Sequence, residues 1–185
     1  MVKDLYNNGD VMEKIYILQM DTGTYFGKFI SLLTMYRYSH VAISLEEDCD
    51  VTYSFGRKGV HSVFNGGFIM LDRDSKFFRK FKNTRCRIYE VEVTKKQYYK
   101  LCKIIKFMCN NKNIYGYDYL GIVLRYLKIP VKFKNKYVCS YFVADLLEKV
   151  DVCNFDKKSY FVKPSDFEGK DNFNLIYSGK YLMYR

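Results

Sequence analysis

Residues 135–147 read NKYVCSYFVADLL, and the way this stretch folds decides what kind of domain the chain makes. Phe142, Val143, Leu146, Leu147 and Val150 recur at the 3.6-residue period, so the segment predicts a helix with one apolar face. Cys139 falls on that face, in the first turn. A cysteine on an apolar stripe is ordinarily a small buried hydrophobe. At a helix N-terminus it also meets the positive end of the helix dipole and unpaired backbone N–H groups, which favour a thiolate.

Towards the N-terminus, KIYILQM (14–20) predicts a short buried strand, DTGT a turn in which Thr22 or Thr24 caps a helix, and YFGKFISLLTM (25–35) that helix. SHVAISL (39–45) alternates, with Val41, Ile43 and Leu45 on one face and His40, Ala42 and Ser44 on the other. VTYSFG (51–56) returns as its hairpin partner. Arg57 to Arg85 reads as a loop-dominated excursion, and CRIYEVEV (86–93) as the next strand. Thr94 and Gln97 form a capping box ahead of a helix whose stripe is Tyr98, Leu101, Cys102, Ile105, Met108 and Cys109. A further helix covers 117–130 and stops at Pro130. FNLIYSGKYLMYR (173–185) predicts two strands across a Ser-Gly turn. Helices mixed with hairpins define an α+β fold with an antiparallel sheet.

The 185 residues, 49% hydrophobic and with only 2 prolines, suit one domain over 1–185. No window approaches the roughly 20 apolar residues of a membrane span. The first twenty residues carry an early acid and no signal-type apolar run, so a cytoplasmic location is expected. The 6 cysteines lack metal-type spacing and are expected to be free thiols, and no motif calls for a cofactor or metal. FNGGF (64–68) lacks the lysine and hydroxyl residue of a phosphate loop. The net charge of +11 is spread along the chain, with KFFRKFKNTRCR (76–87) its densest stretch. That distribution fits weak surface attraction to anionic lipid or polymer rather than specific nucleic-acid binding.

A thiol nucleophile needs a base within hydrogen-bond reach and a third group to orient that base. The chain has 2 histidines. His61, in GRKGVHSVF, reads as an exposed loop residue. His40 opens a strand, and its face otherwise carries only the small Ala42 and Ser44, which leaves room above the ring.

YSHVAISL followed about a hundred residues later by YVCSYFVADLL resembles the circularly permuted papain-fold cysteine hydrolases, relatives of the NlpC-type peptidases. KIYILQMDTGTYFGKFISLLTM looks like their opening strand and first helix, SYFVKPSDF (159–167) like their serine-proline segment, and LIYSGKYLMY like their closing strands. The resemblance implies a permuted papain-like fold, Cys139 as nucleophile, His40 as base and then acid, and the Cys139 N–H as an oxyanion donor. The third member departs from the pattern, because VTYSFGRKG contains no acid. Ser54 stands nearest the expected place, a one-residue slip would present Tyr53 or Phe55, and Glu46 or Glu47 could curl back from the turn. Tyr36, Tyr38, Tyr53 and Tyr141 could wall a pocket, and Arg57 could meet a substrate carboxylate. The expected substrate is a small peptide or acyl-amide. The alternatives are a lipid-directed acyltransferase or thioesterase, and a small-ligand binding module without turnover.

Overall fold

The run Ile15–Met20 is buried at every position, which is what a central strand covered on both faces requires. It lies in β1 (Met12–Asp21) of a computed structural model that describes residues 12–58 and 65–184. β2 (His40–Ser44), β3 (Val51–Arg57), β4 (Gly66–Asp72), β5 (Arg85–Thr94) and β8 (Asn174–Lys180) complete a 6-stranded sheet ordered β4-β3-β2-β1-β5-β8. All its pairings are antiparallel. Two short strands, β6 (Gly116–Tyr117) and β7 (Lys136–Tyr137), pair separately. The helices are α1 (Tyr25–Thr34), α2 (Lys76–Lys80), α3 (Lys95–Asn110), α4 (Tyr119–Tyr126) and α5 (Cys139–Lys149).

The period-2 alternation of the strands sorts their side chains into two cores. Ile15, Ile17, Val41, Ile43 and Phe55 meet the stripes of α3 and α5. Tyr16, Leu18, Met20 and Ala42 turn to the other face, where Phe78 of α2 and Tyr181 cover them. The end of the chain is tied to the β2–β3 turn. Tyr181 Oη donates to Cys49 O at 2.7 Å and Tyr184 Oη to Glu47 O at 3.0 Å.

Several expectations match the structure. Thr24 caps α1, the Thr94–Gln97 capping box is formed, and α5 begins at Cys139. All 6 cysteines are free. Three segments differ. The Arg57–Arg85 excursion contains β4 and α2, with β4 in register along the whole of β3. Its apolar FIML run was masked by the glycines before it. The 173–185 segment makes one strand rather than two, because Ser178-Gly179 continues β8 opposite Arg87 and Cys86. Gly179 serves a close approach, since a β-carbon there would lie 2.5 Å from Tyr177 Oη. The 117–130 helix is shorter than expected, and Lys128 at φ 59 turns the chain out ahead of Pro130. His61 lies outside the described residues.

Candidate active site

β2 and β3 share a single registered pair, Ile43 opposite Tyr53. Hydroxyls take over where the ladder thins. Ser44 Oγ donates to Val51 O at 2.7 Å, and Ser54 Oγ donates to Val41 O at 2.6 Å. The first turn of α5 comes down at this thinned seam. Cys139 Sγ donates to Ser39 O at 3.9 Å, and the Val41 N–H faces the sulfur from the other side of His40. No side chain caps α5, and the N–H groups of Cys139 and Ser140 face the sulfur.

Burial raises the Cys139 thiol pKa, opposed by the N–H groups of Val41, Ser140 and Cys139 and by the Arg125 charge. Burial also pushes His40 down to about 4. The N–H groups of the helix terminus favour the thiolate, as expected, while burial favours the thiol and the neutral imidazole. Among the described residues no hydrogen bond joins the two side chains. His40 shares a sheet face with its β1 partner Met20, and a β-carbon on Gly56 would lie 3.6 Å from its Cε1. Val41 and Ile43, on the opposite face, pack in the core that α5 closes.

The two side chains line adjacent cavities. His40 lines one of about 60 Å³ with Thr52, Ser54, Arg57 and Tyr119. Cys139 lines one of about 680 Å³. Ile30, Ser39 and Tyr117 border both and so form the partition between them. The larger cavity has apolar walls from Ile30, Ile122, Val138, Phe161, Val162 and Pro164.

The other expected site residues separate. The Ser54 hydroxyl is given to Val41 O rather than to the imidazole. Tyr53 packs against the α3–α5 core. Glu46 and Glu47 follow the far end of β2, on the order of 13 Å along the strand from His40. Tyr38 is buried beneath Arg87, whose guanidinium carbon lies 4.8 Å from its ring centre. Tyr36 donates to Gln19 Oε1 at 3.1 Å. Tyr141 is fully buried and stacks on Tyr137 at 4.7 Å. Among the expected tyrosines and Arg57, only Arg57 borders a cavity that holds His40 or Cys139.

Sequence reasoning missed three residues here. Gln19 is fully buried, donates to Pro164 O at 2.6 Å and accepts from Tyr89 Oη at 3.1 Å, which ties β1 to the cavity wall. Asp118 caps α4 through Gly121 N at 2.9 Å and accepts from Arg125 Nη2 at 2.5 Å. Arg125 borders the larger cavity. The available signal was Asp118 placed as an N-cap with Arg125 two turns further along the same helix. No protein-family model and no curated protein matches the chain.

Proposed function

We propose that the protein is a cysteine hydrolase that cleaves an amide bond through an acyl-enzyme on Cys139, as in the permuted papain-like hydrolases its sequence resembles. One observation carries the reading. Cys139 opens an uncapped helix, with its sulfur against the backbone on both sides of His40, in the wall of a cavity of about 680 Å³. Pockets of roughly 300–1,000 Å³ are the size that small substrates occupy.

In the forward reaction the neutral imidazole accepts the thiol proton as Sγ attacks the carbonyl carbon. The oxyanion is met by N–H groups of the first turn of α5. The proton then passes to the leaving nitrogen and the C–N bond breaks, leaving a thioester. Water adds with His40 as base and frees the acid and the thiol. His40 faces away from α5 in the free protein, so this proton transfer requires the imidazole to turn towards the sulfur, or a water to bridge them, when substrate binds. Ser54 fixes the strand carrying His40 rather than the ring itself.

A second reading, a binding module without turnover, draws on the neutral resting pair. An activated ester such as p-nitrophenyl octanoate separates the two. The hydrolase places the octanoyl group on the Cys139 peptide, seen by mass spectrometry and absent in Cys139→Ala, and His40→Ala slows acylation about 100-fold or more. No acylation of Cys139, or acylation indifferent to His40, leaves the binding module.

A further inference from the structure

The cavity beside Cys139 has a one-sided charge. Arg125, Lys128, Lys157 and Lys163 border it, and among the described residues no acid does. Lys157 is neutralised by Asp166 at 2.9 Å, whereas Lys128 and Lys163 are exposed. Arg125 is more telling. It gives Nη2 to Asp118, while its Nε and Nη1 are buried without a hydrogen-bond partner. These two donors are shut away beside the Tyr160 ring, 4.2 Å from the guanidinium carbon, so Arg125 gives the cavity its positive charge rather than a hydrogen bond through them. Between these cations the wall is aliphatic and aromatic. The helices that supply Ile30 and Ile122 also carry exposed apolar residues, Phe29 and Leu32 on α1 and Val123 on α4, with Leu127 just past the end of α4.

We infer that this cavity binds an anionic acyl compound, with its hydrocarbon chain on the apolar wall and its carboxylate held by Lys128 and Lys163 in the field of Arg125. N-acyl amino acids are the substrate class that fits. The inference depends on the hydrolase reading only for the bond that breaks. The acyl carbonyl meets Cys139 Sγ, the amino-acid nitrogen leaves with the His40 proton, and water returns the fatty acid.

The ligand class is tested apart from turnover, by calorimetric titration of the Cys139→Ala protein. The probes are N-octanoylglycine, its neutral methyl ester, and N-acetylglycine, which keeps the charge without the chain. The acid is expected to bind about tenfold tighter than either of the other two. Replacing Lys128→Gln and Lys163→Gln together, two exposed positions that spare the Arg125–Asp118 pair, is expected to weaken the acid about tenfold and leave the ester unchanged. An ester or an acetyl compound that binds as tightly as the acid overturns the inference, as does a double variant that binds the acid unchanged. The wild-type protein is then assayed for glycine released from N-octanoylglycine. Tight binding without release overturns the hydrolase reading and supports the ligand class. Release without preference for the charged substrate does the reverse.

Discussion

His40 enters the folded chain with its pKa lowered from 6.5 to about 4 by burial, and the sign of the consequence is fixed. Above about pH 6.5 the ring is neutral in both states, so it adds no pH dependence. Between 6.5 and about 4 only the unfolded chain takes up the proton, so stability falls as pH falls, by on the order of 3 kcal/mol across the window. Urea midpoints of wild type and His40→Gln, measured from pH 7 to 4, should diverge in that window, with the variant showing the shallower loss. Parallel curves would mean that the ring titrates as if in water. Ser54 makes a neighbouring contribution. Ser54→Ala leaves Val41 O without the 2.6 Å hydroxyl bond and should cost about 1–3 kcal/mol by denaturant titration. An effect confined to activity, with stability intact, would instead return Ser54 to orienting the imidazole.

Among the elements, helix starts were the most legible. Thr94 with Gln97 three residues on satisfies two end groups reciprocally, and both bonds are present. Thr94→Ala should lower stability by about 1 kcal/mol in thermal or urea unfolding. The apolar period that marked α5 needs only local sequence, as does the polar-to-apolar change at Cys139. Glycines were read less well, because a short sequence cannot show what stands next to them. Ser178-Gly179 has turn composition, yet Gly179 lies in β8 under the Tyr177 ring. Gly67 is a harder case, since a β-carbon there would meet Tyr115 O at 2.4 Å, which is backbone of the turn just ahead of β6. Gly67→Ala should therefore destabilise by about 1–3 kcal/mol, by the mechanism of an overpacked contact. Unchanged stability would show that the Tyr115 segment gives way.

In the molecule as a whole, the α+β class and the antiparallel sheet were readable from hairpin spacing, whereas the site's charge was not. Arg125 and Asp118 sit on one helix and look like an ordinary surface pair until tertiary packing buries them against Tyr160, 4.2 Å from the guanidinium carbon. The expected tyrosine wall failed for the opposite reason. Tyr53, Tyr38 and Tyr141 are near His40 or Cys139 in sequence, but strand alternation and helix phase send their rings into the packed interior. Tyr181 shows how far the second core depends on distant chain. It is fully buried against Phe78 at 4.6 Å, and Tyr181→Ala should cost about 3–5 kcal/mol in urea unfolding. The bonds from Tyr181 and Tyr184 to Cys49 O and Glu47 O also have a mechanical meaning. They clamp the closed end of the β2–β3 hairpin, while its open end, at His40 and Gly56, lies beyond the single registered pair. The seam between β2 and β3 is thus pinned at its turn, while towards His40 and Gly56 each strand is held by its other neighbour, β2 by β1 and β3 by β4, so the two can part there without either strand leaving the sheet.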